Sequence, residues 1–250
     1  GIQADIKTIS LLGSYAASAI TALTAQNTLG VKGVSPVSAD FVAKQSRMVL
    51  DDIGADTLKT GMLYGAETVC TVAKLIKEYN LLSVIDPVMI AKGGAALLKP
   101  DAVEALRSEL LSAAYLLTPN IPEAEALTGL KIESVEEMEG AAEALQQMGA
   151  RNLLIKGGHK EGDATDVLLT SDGVLHLTSE RTETENTHGT GCSYAAALAT
   201  LLAQGQPLKQ AAQQAKTFIS AAIAQATPLG QGHGPINHVA GAQALRNEST

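Results

Sequence analysis

The stretch Asn186-Thr187-His188-Gly189-Thr190-Gly191-Cys192-Ser193 holds the residue types best suited to chemistry, because its Gly-x-Gly turn runs straight into the helical sequence Tyr194-Ala195-Ala196-Ala197-Leu198. A turn of this kind at the start of a helix lets several backbone N–H groups converge on one point, where the helix dipole adds positive potential. That makes an anion hole. Cys192 stands inside it, and a thiol at a helix N-terminus can serve as a base or nucleophile near neutrality. The plainer reading of such a cysteine is a small buried hydrophobe, and that is the expectation for Cys70, set between Val69 and Val72 in a helical pattern. His233 and His238 have a spacing that could suit zinc, but no cysteine or carboxylate stands near them at ligand spacing, so no zinc site is expected there.

These groups need a scaffold to hold them. A length of 250 residues fits one α/β domain spanning residues 1–250. Hydrophobic residues make up 46% of the chain and tryptophan is absent, so the core must be built from aliphatic side chains and alanine. The net charge of −8, with no Lys/Arg run to offset it, argues against nucleic acid or an anionic membrane as partner. Two widely separated cysteines make no disulfide framework, no apolar run approaches the roughly 20 residues of a membrane span, and no signal peptide is evident; a cytoplasmic protein is expected.

Apolar spacing predicts a helix over residues 2–12 closed by Gly13, a buried strand over 15–25 and a short extended piece over 30–34. A helix from Ser38 is expected to turn Phe41, Gln45, Met48, Val49 and Ile53 inward and to close at Gly54. Strands follow at 58–63, 82–86, 115–118 and 152–156. Between them come a helix marked by Val69, Val72, Ala73 and Ile76, a loop at Ala91-Lys92-Gly93-Gly94, a helix over 102–111, a short helix from Pro122 to Gly129, and a helix opened by the capping pair Ser134 and Glu137. Residues 167–169 and 174–177 read as a hairpin, 191–203 and 208–226 as alanine-rich helices, and 232–235 as a loop before a last helical turn or two. This alternation predicts a mostly parallel sheet covered on both faces, with the hairpin at one edge. Ligands of such sheets bind past the carboxyl ends of the strands, where Gln26, Asp86, Asn120 and Lys156 are expected.

Seven segments in this order resemble the hydroxymethylpyrimidine and phosphomethylpyrimidine kinases of thiamine biosynthesis, a branch of the ribokinase-like superfamily. They are Gly1-Ile2-Gln3-Ala4-Asp5-Ile6-Lys7-Thr8, Thr24-Ala25-Gln26-Asn27-Thr28, Lys59-Thr60-Gly61-Met62-Leu63, Asp86-Pro87-Val88-Met89, Thr118-Pro119-Asn120-Ile121-Pro122-Glu123, Lys156-Gly157-Gly158-His159 and the run from Asn186 to Cys192. The resemblance implies a ribokinase-like three-layer α/β/α sandwich. It further implies ATP and Mg2+, a homodimer, and two successive phosphorylations of one pyrimidine, first on its hydroxymethyl group and then on the monophosphate.

On that resemblance, Cys192 would take the proton of the hydroxymethyl group, and the amides of Gly189, Thr190, Gly191 and Cys192 would stabilise the transferring phosphoryl group. Lys156 would set a cation against the nucleotide phosphates, with Asn120 and Lys216 near the nucleotide, and Glu123 and Asp86 would serve the metal. Gln26 can match the donor–acceptor edge of an aminopyrimidine, Asp5 can accept from its amino or hydroxymethyl group, and Met62 and Val88 would sandwich the ring. Family members usually begin with a strand and a Gly/Ser-rich loop upstream of the segment matching residues 1–8. Here both are missing, so the chain is expected to be incomplete at its start, which an intact-mass measurement would check. A pyridoxal/pyridoxine kinase of the same cysteine-containing branch is the nearest alternative, and a catalytically silent pyrimidine-binding protein is another.

Overall fold

The computed structural model describes residues 1–89, 98–157 and 162–248. The loop expected at residues 91–94, and Gly158 and His159 of the sixth segment, lie outside the described residues.

Two layers of helices enclose one sheet. Strands β3 (Thr57–Thr60), β4 (Leu82–Ile85), β5 (Leu116–Leu117) and β6 (Leu153–Ile155) run parallel in that order. Strands β7 (Ala164–Thr170) and β8 (Gly173–Ser179) add an antiparallel hairpin at the edge, as the sequence predicted. Successive side chains of a strand point to opposite faces, and the two cores divide accordingly. Ile85, Leu117, Leu153, Ile155 and Val167 pack towards α3 (Ala66–Glu78), α5 (Ile121–Thr128) and α6 (Val135–Gln147). Val84, Leu116, Leu154 and Leu168 pack towards α7 (Thr190–Ala203) and α8 (Leu208–Ala224). α1 (Ile2–Leu11) and α9 (His238–Glu248) lie on the second side, against α7 and α8 respectively.

Local chemistry fixes the helix ends near the strands. Asn120 and Glu123 form a capping box at α5, which ends at the left-handed Gly129, and Ser134 and Glu137 form another at α6. The helix expected over residues 102–111 is α4 (Pro100–Ala105), continued by a π-helical turn at Leu106–Leu110.

Two expectations are corrected. Residues 15–25 are not a buried strand: 14–21 have no regular structure, Tyr15 is 79% exposed, and only β1 (Ala22–Asn27) is extended, paired antiparallel with β2 (Gly30–Pro36) in a separate exposed two-stranded flap. The segment is rich in alanine and serine and has little apolar area to bury. In α2 (Ala39–Asp52), the fully buried residue is Val42, whereas Phe41, Met48 and Ile53 are exposed. Gln45 does turn inward, accepting from Ile20 N and donating to Ile20 O. The helix is thus rotated by about one position from the apolar stripe that spacing picked out. Among the described residues no helix is long and apolar enough to cross a membrane.

Candidate active site

The carboxyl ends of β3, β4, β5 and β6 open, with the start of α7 and the end of β1, into one groove of about 1720 Å3. Asp5, Gln26, Lys156 and Cys192 all line it.

The floor is the tip of α7. Gly189, in the left-handed region at φ 86°, is its N-cap and provides no side-chain cap; Thr190 N donates to Thr187 O at 3.3 Å, and the amides of Gly191 and Cys192 are left to whatever enters the groove. The incoming chain is braced from behind: His188 N donates to Gly234 O at 2.9 Å, and Ile236 N to His188 O at 3.3 Å. A Cβ at Gly234 would lie 2.2 Å from Asn186 Oδ1, so a larger residue there would displace the Asn186 side chain. The nitrogen of Gly1 lies 3.2 Å from Cys192 Sγ, which sets the start of α1 against the thiol.

Beside the tip stands a buried charge cluster. Lys156 Nζ donates to Asp86 Oδ1 at 2.7 Å, and both side chains are largely enclosed. A Cβ added at Gly191 would come 3.5 Å from that Nζ and 3.7 Å from Asp86 Oδ2, which places the pair directly against the amide tip. Burial opposes the charge of Lys156, but Asp86 and then Glu123 more than offset it, and the ammonium is held above the ordinary lysine range. Asn120 and Lys156 form a parallel bridge that extends β5 and β6 together. Glu123 Oε2 accepts from Asn120 N at 2.8 Å. Burial pushes the Glu123 carboxyl up to about 7, with Lys156 opposing and Asp86 adding to the rise.

The remaining expected residues are placed as follows. Met62 and Val88 are half-buried and line the groove; Met62 O accepts from Thr21 Oγ1 at 2.6 Å. Gln26 is exposed, at a register shift in the flap, and among the described residues no hydrogen bond engages its carboxamide. Asp5 is not unattached: Lys59 Nζ contacts Oδ1 at 3.0 Å and Oδ2 at 3.1 Å. Lys216 lines the groove, but its ammonium donates to Asp166 Oδ2 and Ala164 O, each at 2.8 Å. Sequence reasoning passed over Lys59 and Asp166. Asp166 also accepts from Gly157 N at 2.9 Å and Tyr194 OH at 3.0 Å, tying the residue after Lys156 to α7. The available signal was a lone charge in each strand pattern, Lys59 within 58–63 and Asp166 just before the apolar run 167–169.

The sequence profile of phosphomethylpyrimidine kinase matches residues 1–237. The chain belongs to the phosphomethylpyrimidine kinase family. It is 52% identical over 249 residues to the thiamine biosynthesis bifunctional protein ThiED of Geobacter sulfurreducens, covering 99% of this chain but 51% of that protein, so it spans about half the length of that relative. It is 46% identical to the hydroxymethylpyrimidine/phosphomethylpyrimidine kinase of Bacillus subtilis, covering 96% of this chain and 90% of the relative. Among solved structures, an ADP complex of Bacillus subtilis pyridoxal kinase is similar, with a TM-score of 0.88 and 38% identity over 96% of this chain and 92% of the other. The three layers and mostly parallel sheet are those of the ribokinase-like fold expected from the sequence.

Proposed function

We propose that this family member is an ATP-dependent kinase that phosphorylates the hydroxymethyl group of 4-amino-5-hydroxymethyl-2-methylpyrimidine and then the resulting monophosphate. The observation that carries the reading is the convergence of the α7 tip, Cys192 and the Lys156–Asp86 pair in one groove. Phosphoryl transfer asks the protein mainly to position reactants and to neutralise charge. Here the amides of Gly189, Thr190, Gly191 and Cys192 receive the transferring group, and Lys156 places a cation beside it. Cys192 takes the proton of the attacking alcohol. Asn120 lies at the nucleotide side through its bridge to Lys156, and Lys216 acts there through Asp166. Gln26 reads the aminopyrimidine edge, Asp5 accepts from its amino or hydroxymethyl group, and Met62 and Val88 hold the ring.

Magnesium fits the donors present. Asp86 and Glu123 would hold it: both offer hard carboxylate oxygens, and a divalent cation would offset the burial that pushes the Glu123 carboxyl up. Among the described residues no group of three or more His, Cys, Asp or Glu side chains could hold a metal. A protein contribution of one or two oxygens, completed by nucleotide phosphates and water, is the usual pattern for this ion. When bound, it neutralises phosphate charge.

A homodimer, a cytoplasmic setting and the lack of a nucleic-acid partner belong to the same proposal. The free state of Cys70 and Cys192 supports the second and the net charge of −8 the third. Pyridoxal as acceptor is the second reading, favoured by the likeness to the Bacillus pyridoxal kinase. ADP release measured with the pyrimidine alcohol and with pyridoxal separates them. A higher kcat/KM for the pyrimidine is expected; preference for pyridoxal overturns the order, and tight pyrimidine binding without ADP release indicates a silent binding protein.

A further inference from the structure

Lys59 is a buried cation with no part in the scheme above. Its side chain is 5% exposed, yet it lines the groove. A lysine enclosed to this degree is rarely kept without a charged partner, and Asp5 supplies one through both carboxylate oxygens. An ammonium carries three N–H donors. At most two are committed to Asp5, and no other acceptor for Nζ occurs among the described residues. A Cβ at Gly61 would sit 3.3 Å from Nζ, so glycine at that position leaves space beside the ammonium that a side chain would take.

Its position differs from that of Lys156. Burial works against the charge of Lys59, and the groups that sustain it are Cys192, Asp5 and Asp86, in that order. For Lys156 the order is Asp86, Glu123 and only then Cys192. The two cations line the same groove with different partners, Lys156 bonded to Asp86 beside the α7 tip, Lys59 bonded to Asp5 at the strand end that leads to Met62.

The two acceptors handled by this site, on the reading given under Proposed function, make opposite electrostatic demands. The alcohol is neutral and must lose a proton. The monophosphate is already deprotonated, with a charge of about −1.5 to −2 near pH 7, and it must approach a triphosphate that is itself anionic. We infer that Lys59 is the acceptor-side cation for the second transfer, binding the phosphate of the monoester while Lys156 serves the nucleotide. In that step a monoester oxygen forms the bond to the γ-phosphorus, the bond from that phosphorus to the β–γ bridging oxygen breaks, and its electron pair leaves with ADP. No base is required. In the first step the same bond breaks, but the alcohol oxygen attacks and its proton passes to Cys192.

The experiment supplies the alcohol and the monophosphate separately to the full-length protein with ATP, and compares kcat/KM for each in Lys59→Met and in the parent. The monophosphate reaction is expected to fall about 10- to 100-fold further than the alcohol reaction, the range of one lost charge-assisted contact. Lys59→Arg should recover much of the difference. Lys59→Met leaves Asp5 without its partner, so Lys59→Gln, which removes the charge but keeps a hydrogen-bond donor for Asp5, provides the same ratio if Lys59→Met does not fold. Equal losses in both reactions would assign Lys59 a structural role and overturn the inference, as would a parent that phosphorylates the alcohol but never the monophosphate. A parent that transfers to neither acceptor fails at the earlier step and removes the kinase reading itself.

Discussion

The sheet and the flap are built on different principles. Leu116, Leu117, Leu153, Leu154 and Ile155 in β5 and β6 are fully buried, and the polar residues at those strand ends are fixed by short ion pairs and by the Asn120–Lys156 bridge. In β1 the residues from Leu23 onward are exposed, and Gln26 sits at a register shift where no hydrogen bond from the described residues holds its carboxamide. Groups that must meet a transition state gain from a rigid mounting, because their dipoles then need no reorganisation during reaction. A group that only recognises a ring edge can tolerate a looser one. The difference predicts that substitutions at strand ends and at the α7 tip act on folding or kcat, and those on the flap on KM.

The most severe test lies at Gly157. A Cβ there would fall 1.8 Å from Thr165 O, so Gly157→Ala has to push β7 away from the end of β6 and disturb the amide held by Asp166. A loss of about 3 kcal/mol or more is expected in urea unfolding; a variant of unchanged midpoint would mean that the edge hairpin is not rigidly joined to the sheet. Next in size is Cys192→Ala. Removing a proton acceptor needed in the transition state should lower kcat for the alcohol by about 100-fold or more with KM nearly kept. Turnover close to that of the parent would exclude the thiol as base. The smallest effect is expected at Gln26→Ala, with pyrimidine KM raised about 3- to 10-fold and kcat within about twofold, the range of one neutral hydrogen bond. If kcat fell and KM did not, the contrast between mounting and recognition would be wrong.

Punctuation explains what could be read in advance. Pro87, Pro119 and Gly157 stop β4, β5 and β6 just after or within one residue of Asp86, Asn120 and Lys156, so the strand ends and their polar residues stood out in the sequence. The α7 tip was equally visible, because Gly189 and Gly191 flank its first turn. Long-range pairing was not visible. Lys59 and Asp5 are separated by 54 residues and Lys216 and Asp166 by 50, so neither pairing shows in the sequence, and Asp5 and Lys216 were expected at the site without the partners that hold them. The flap was misread for a related reason. Its alternation of small and apolar residues looks like a core strand, and nothing local says that it pairs with β2 in a flap apart from the six-stranded sheet. The face of α2 was lost because a stripe that includes Phe41 and Met48 is more apolar than the side that actually packs.

One property of α7 bears on traffic through the groove. Every residue from Ser193 to Leu202 is buried, and the helix is wedged among α1, α8, β3 and β4. Alanine at 195, 196, 197 and 199 lets it sit close to those neighbours, while Tyr194, Leu198, Leu201 and Leu202 anchor it in the core. Such a helix cannot swing aside to admit a nucleotide or release ADP. Entry and exit have to be managed at the solvent-facing rim, and the floor that carries the thiol stays in register from one turnover to the next.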